Sequence, residues 1–233
     1  MNSSTPLAEL RPPRAFRVFE VASVVAAFAL SISLGASVVR GLGRVDLGLG
    51  AGLAITLAAY FACDLVSGVV HFLGDSFGSV DTPWLGRTFV LPFRSHHALP
   101  SKICGHDFVE TNGNNAFATL FALVPTTVAL DPAASPRALG LGLFVCVFSV
   151  SVIFTNQIHK WAHVAQPPRV VRWLQTVGVF LSPARHRAHH RAPHRQGYCV
   201  TSGLCNALLD PIDFFPRLER LIRALLRLEA RPG

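Results

Sequence analysis

Ten histidines occur in this 233-residue chain, and their spacing is ordered. They stand at His71, at His96 and His97 in FRSHHALP, at His106 in HDFVETNGNN, at His159 and His163 in NQIHKWAH, and at His186, His189, His190 and His194 in SPARHRAHHRAPH. Neutral imidazole is the commonest nitrogen ligand for iron, zinc and copper, and ligands must converge to within about 2 Å of the ion, so spacing decides whether such residues act together. In NQIHKWAH the four-residue step sets His159 and His163 on one helix face, which Asn156 shares. In HRAHH, His186 precedes His189 and His190 by three and four residues, so all three project to one side of a single helix. Ser182 and Pro183 supply its N-cap and first helical position, and Pro193 limits its end, leaving His194 beyond the regular part.

Taken alone, HxxxH is more often an ordinary helix face, and HH a solvated loop, than a metal site. Found together with HxxHH and with a histidine inside an apolar run, they point to a metal centre. Structural zinc would use only four ligands, often cysteines. An HExxH protease is excluded because Lys160 occupies the place of the general-base Glu. Bis-histidine haem would put paired histidines within facing spans, whereas these sit mostly at span ends. About eight imidazoles suit two irons.

The elements that must position these residues are expected to lie in a membrane. Half of the residues are hydrophobic and only 15% are charged, against roughly 25% in an ordinary soluble domain. Apolar runs extend over Val18–Val39, Leu47–Leu73, Ala116–Leu130 and Ala138–Ile158, the last two separated by the turn signal DPAASPR. The first run exceeds the roughly 7 to 15 residues of a signal-peptide core. The third is short for a full crossing. Along the second and just past its end, Asp64, His71 and Asp75 form one stripe, and an ionisable residue inside a span implies function by default. Asp64 either supports a histidine or pairs with a neighbouring helix.

Eighteen of the 21 lysines and arginines flank these runs on one side, against Arg40, Arg44 and Arg137 on the other, which puts both termini and every histidine in the cytoplasm. The net charge of +8 therefore reads as juxtamembrane charge, and with no recognition module visible, nucleic acid is not an expected partner. Five cysteines without a CxxC pair argue against a disulfide framework. The tail LERLIRALLRLEARPG has leucines at helical spacing, which fits a surface-lying amphipathic helix or a packed terminal one.

The segments DLVSGVVHFLGDSFGS, PFRSHHALPSKICGHDFVETNGNN, NQIHKWAH and PARHRAHHRAPHRQGYCVTSGLCN resemble, in order and spacing, the lipid desaturase family of animal plasmanylethanolamine desaturase, a myxobacterial light-response regulator of carotenogenesis and a plant plastid fatty-acid desaturase. The similarity covers about Asp64 to Asp210. It implies an oxidoreductase that uses two irons, dioxygen and an external electron donor, cytochrome b5-like or ferredoxin-like, to form the 1'-alkenyl double bond of an ether phospholipid. Carried across residue by residue, the family motif makes His71, His96, His97, His159, His163, His186, His189 and His190 the metal ligands. His106, His194, Asp64, Asp75, Asp107 and Asn156 are then ligands or hydrogen-bond supports to ligands. Glu110, Asn112 and Asn115 also match the family stretch, and helix capping explains them about as well as chemistry does. Arg94, Lys102, Lys160 and Arg169 are weaker candidates for contact with the lipid headgroup.

The expected fold is therefore all-α and integral to the membrane: four transmembrane helices under a cytosolic histidine-rich helical cap that holds a di-metal site. Residues 1–17 would form a cytosolic tail, 18–216 the desaturase domain and 217–233 the amphipathic helix. The expected partners are a membrane phospholipid and an electron-transfer protein. The expected location is a bacterial inner membrane, or the endoplasmic reticulum if the source is eukaryotic. Competing readings are a fatty-acyl desaturase or hydroxylase with the same centre, a non-catalytic metal-binding membrane regulator, and a metal transporter. The transporter reading is disfavoured because the external loops contain no histidine.

Overall fold

A computed structural model describes residues 14–83 and 86–229; Arg11 of the N-terminal tail and Arg231 near the end lie outside them. Four long helices carry the architecture: α1 (Arg14–Leu42), α2 (Leu49–Ser76), α4 (Phe108–Ala129) and α5 (Pro136–His163). Short helices α3 (Leu91–Ala98), α6 (Arg169–Thr176), α7 (Pro183–His189), α8 (Asn206–Leu209) and α9 (Phe214–Leu226) fill the remainder, and no strand occurs among the described residues.

α1, α2 and α5 are each long and apolar enough to cross a membrane. Their outward surfaces explain why. On α1, Val18, Val25, Ile32 and Val39 recur every seven residues and are all exposed, while Ala27, Leu34 and Val38 are buried on the opposite side. A helix apolar on both faces belongs in hydrocarbon rather than on the surface of a soluble domain. α1, α4 and α5 share a core of Ala27, Leu34, Ala116, Leu123, Leu139 and Ile153.

α4 is not among the three membrane-capable helices. It begins eight residues before the apolar run suggests, because Asp107 caps it by accepting the Glu110 N–H at 2.9 Å. Its first two turns consequently contain Glu110, Thr111, Asn112 and Asn115. The DPAASPR turn leads into α5 through a Ser135 cap and Pro136 at the first turn.

The helix ends fall into two sets. Arg17 near the start of α1 pairs with Asp107 at the start of α4, and Asn112 of α4 meets Gln157 near the end of α5. The C-terminal end of α2 meets α3 and α9: Arg223 donates to the Ser76 carbonyl at 3.0 Å and lies over the Phe77 ring. The end of α1 reaches the α4–α5 turn on the far side, where a Cβ at Gly41 would stand 2.9 Å from the Pro132 carbonyl. The amphipathic tail is both packed and exposed. Phe215, Leu218 and Ile222 of α9 join Phe72 and Tyr198 in a second core, while Leu221, Leu225 and Leu226 face outward.

Candidate metal centre

The C-terminal ends of α2 and α5 bring His71, Asp75, His159 and His163 to the same level, and α3 and α7 close over them. α7 forms as its sequence dictates: the Ser182 hydroxyl accepts the Arg185 N–H, Pro183 occupies the first turn, and His186 and His189 point inward and are buried. His190 is the C-cap residue, and His194 lies beyond it at φ 56°.

Eight imidazoles and one carboxylate gather in two adjoining groups. The first consists of His96, His159, His163, His186 and His190; the second of His71, Asp75, His97 and His189. Within each group the candidate ligand atoms all lie within 4.8 Å of one another. Each HH pair is divided between the groups, His96 and His190 going to the first and His97 and His189 to the second. The groups are therefore joined twice through adjacent backbone.

The separations are close to those of ligands arranged around an ion, the three at His186 Nε2 being somewhat shorter. In the first group His186 Nε2 stands 2.7 Å from His163 Nε2, 2.8 Å from His159 Nε2 and 2.9 Å from His190 Nε2, and His163 Nε2 stands 3.0 Å from His96 Nε2. An imidazole nitrogen either gives one proton or offers one lone pair, so three such contacts at one atom cannot all be hydrogen bonds. Nitrogens bound at about 2.1 Å to a common ion would stand about 3.0 to 3.4 Å apart. In the second group Asp75 Oδ2 is 2.9 Å from His97 Nε2, 3.4 Å from His189 Nε2 and 3.5 Å from His71 Nε2. His71 Nε2 and Asp75 Oδ1 are buried without a hydrogen-bond partner, as atoms awaiting a cation would be.

Backbone carbonyls set two of these tautomers. His71 Nδ1 lies 3.2 Å from the Tyr198 carbonyl and His189 Nδ1 lies 2.8 Å from that of Gln196. A carbonyl only accepts, so the proton sits on Nδ1 and Nε2 keeps its lone pair for the site. Electrostatics favour the same neutral form elsewhere. Burial, followed by the neighbouring His163 and His190, pushes His96 down to about 2. Burial, then His189, pushes His190 down to about 3. Burial, then His163, holds His186 well below the ordinary imidazole value. Neutral imidazole is the form that binds metal.

The remaining candidates lie around these groups. The His194 ring packs edge-on against His97, and its Nδ1 is 3.1 Å from the His189 carbonyl. His106 is partly exposed beside Glu110 at 3.5 Å and belongs to neither group. Asp107 caps α4; the Glu110 N–H and then Arg17 hold its carboxyl below the usual range. Asn156 reaches α4, donating to the Thr111 carbonyl and to Asn115 Oδ1. Asp64 touches no histidine: its carboxylate accepts backbone N–H groups of Thr201, Ser202, Gly203 and Cys205. Arg94 and Lys160 are engaged with the carbonyls of Gly78 and His106, whereas Lys102 and Arg169 are exposed.

Sequence reasoning did not single out Tyr198 and Gln196, because a backbone carbonyl leaves no mark in residue type. The signal that could have pointed to them is the Gly, Ser and Thr content of the segment QGYCVTSGLCN, which suits a backbone held by side chains.

A helical protein with membrane-length helices and an interior polyhistidine site capable of holding metal is the class that fold and site define together. More narrowly, the chain belongs to the lipid desaturase domain family, whose model matches residues 60–232. It is 41% identical over 209 residues to a plasmanylethanolamine desaturase of Myxococcus xanthus, covering 89% of this chain and 72% of that protein. It is 40% identical over 173 residues to plasmanylethanolamine desaturase 1 of Mus musculus, covering 72% of this chain and 64% of that one. It is 37% identical over 165 residues to the chloroplastic fatty acid desaturase 4 of Arabidopsis thaliana, of which it spans 49%. No solved structure matches the chain.

Proposed function

We propose that this chain is a plasmanylethanolamine desaturase, an oxidoreductase that introduces the 1'-alkenyl double bond into an alkyl ether phospholipid. The observation that carries the proposal is the pair of adjoining ligand groups, five imidazoles in one and three imidazoles with Asp75 in the other. The two relatives named for this activity, at 40 and 41% identity, supply the substrate.

The donor set fits two irons. Two irons held there, with dioxygen and two electrons from a cytochrome b5-like or ferredoxin-like protein, supply the oxidising power to remove two hydrogens from adjacent carbons. The chain's own residues prepare for that chemistry. The Tyr198 and Gln196 carbonyls fix the protons of His71 and His189 away from the site. Asp75 adds a negative charge that partly offsets a second cation. His71, His186 and His189 are at most 2% exposed, which keeps bulk water from their side of the centre. Of the four headgroup candidates, Lys102 and Arg169 are exposed and not engaged with a backbone carbonyl, and so are free to meet a phosphate.

In this reading four helices cross the membrane and the histidine cap lies in the cytosol, with residues 18–216 as the catalytic unit and the amphipathic helix of the following segment being α9, which begins at Phe214 and ends at Leu226. Support for α4 as the fourth crossing comes from its exposed Phe117, Phe121, Val124 and Val128, an apolar outer face like those of its neighbours. The membrane is a bacterial inner membrane, or the endoplasmic reticulum in a eukaryote.

The test is lipid analysis of a host without plasmalogens, fed an alkyl glycerol and expressing this gene. Acid-labile vinyl ether lipid is expected with the native chain and none with His159→Ala. The plant relatives' name favours a second reading, a fatty-acyl desaturase. New acyl unsaturation without vinyl ether would select it. A purified, iron-containing protein that consumed neither oxygen nor reductant would instead indicate a regulator.

A further inference from the structure

Asp64 is fully buried in α2, nearly two turns from His71, and makes no contact with either ligand group. Its side chain gathers the turn that follows Tyr198. Oδ1 accepts the N–H groups of Thr201 at 3.1 Å, Ser202 at 2.8 Å and Gly203 at 3.0 Å, and Oδ2 accepts that of Cys205 at 3.0 Å. Successive N–H groups converging on one anion form a backbone nest, here completed by Gly203 at φ 70°.

The same segment is held at its other N–H groups. Asp210 accepts that of Gly197, Asn206 that of Cys199 and the Ser67 hydroxyl that of Val200. With those donors fixed, the carbonyls of Gln196 and Tyr198 have one direction left, and they face His189 and His71. Both of these imidazoles belong to the group that contains Asp75. The segment also bonds to the helices that carry the five-histidine group, Thr201 to Thr155 of α5 and the Ser202 carbonyl to Arg185 of α7, but it offers those rings no carbonyl: His186 Nδ1 and His190 Nδ1 are buried without a hydrogen-bond partner, as is His97 Nδ1 of the Asp75 group.

We propose that Asp64 is a positioning residue for one metal and not for the other: through the 196–205 segment it fixes the tautomers of His71 and His189, and so sets the affinity of the Asp75 site alone. The proposal rests on the two-metal reading above. It goes beyond a general folding role, because the two carbonyls of this segment that meet ligand rings both meet ligands of one group.

Asp64→Asn preserves volume and keeps one accepting oxygen, but turns an N–H donor toward either Cys205 or the Thr201–Gly203 N–H groups. Loss of an outer hydrogen-bond partner weakens metal binding about 10–100-fold. The experiment loads purified full-length protein in detergent with Fe(II), in competition with a graded chelator, and counts iron per chain. The native chain is expected to release its irons at high chelator, while Asp64→Asn releases one at about tenfold lower chelator and retains the other.

Second variants identify the iron that remains. Combined with His97→Ala, which removes a ligand of the Asp75 group, Asp64→Asn should leave one tightly held iron. Combined with His186→Ala it should leave none at the chelator level where Asp64→Asn alone retains one. A merely structural role would lower both affinities together, and that result, or unchanged release of both irons, overturns the proposal. Native protein that binds no iron would instead overturn the functional reading, so the two failures are distinct. Should Asp64→Asn fail to fold, Ser67→Ala removes the neighbouring hold on Val200, and the same one-sided release is expected in weaker form.

Discussion

Asp75 is the only carboxylate within the two ligand groups, so the sites differ in charge as well as in ligand number. Asp75→Asn keeps the shape but removes that charge, and iron in the three-histidine group is expected to be lost more completely than the about 10–100-fold weakening that follows loss of an outer partner. Iron counting checks it, and undiminished iron would exclude Asp75 as a ligand. The neutral imidazoles give a second expectation, for metal-free protein. His96 and His190 are pushed to about 2 and about 3, and His186 well below its ordinary value, chiefly by burial. Unfolded, each titrates near 6.5, so below that pH the unfolded chain takes up protons that the folded one refuses. Stability is then lost on acidification, by up to about 1.4 kcal/mol per pH unit for a fully buried imidazole, and the loss is absent above 6.5. Stripped protein should melt lower at pH 5 than at pH 7.5 and nearly unchanged from 7.5 to 8.5; a rise on acidification would show that the rings are not held neutral. The histidine types and their helical steps were legible in the sequence. Which member of each HH pair joins which group was not, since that depends on how α3 and α7 cross.

At the scale of elements, three asparagine side chains fasten α4 to the part of α5 that bears His159 and His163. Asn112 Oδ1 accepts the Gln157 N–H at 3.0 Å, Asn115 donates to the Val152 carbonyl at 2.9 Å, and Asn156 donates to the Thr111 carbonyl at 3.1 Å. Asn112→Ala would remove this cross-helix hydrogen bond, a loss of about 0.5–1.5 kcal/mol. The expected result is a lower melting temperature together with weaker iron binding in the five-histidine group; iron lost first from the Asp75 group would contradict it. Gly74 plays the corresponding part between α2 and α3: a Cβ there would stand 2.5 Å from the Phe93 ring, which shares a helix with His96 and His97. Gly74→Ala should therefore displace α3 and lower iron content, with the loss about as large as overpacking by one methyl implies, roughly 1–3 kcal/mol in stability. Hydropathy set the start of α4 too late because it scores Glu110 to Asn115 as a loop. Those polar residues are compatible with a helix only because α1 and α5 offer partners, and partners on other helices are invisible to a local window.

At the scale of the whole molecule, the site constrains how the chain crosses the bilayer. His71 and Asp75 lie at the C-terminal end of α2, and His159 and His163 lie at the C-terminal end of α5, yet they meet. Two helices can present their C-terminal ends on one side only if the chain returns to the other side between them, and α4 is the single long helix between them. α4 spans about 33 Å at about 1.5 Å per residue, comparable with a hydrocarbon core of about 30 Å, although its apolar part from Ala116 is shorter. The proposal that this shared side is cytoplasmic rests on the charge asymmetry, eighteen basic residues on it against three opposite. A reporter that fluoresces only in the cytoplasm is expected to be active when fused after Gly233, and a phosphatase that matures only outside should be active when fused after Ala134. With α4 as a buried but non-crossing helix, the Ala134 fusion would stay inside and the two halves of the metal centre would face opposite compartments. That pattern would refute the four-span reading and the shared site with it, because imidazoles from α2 and α5 could not then reach the same ion.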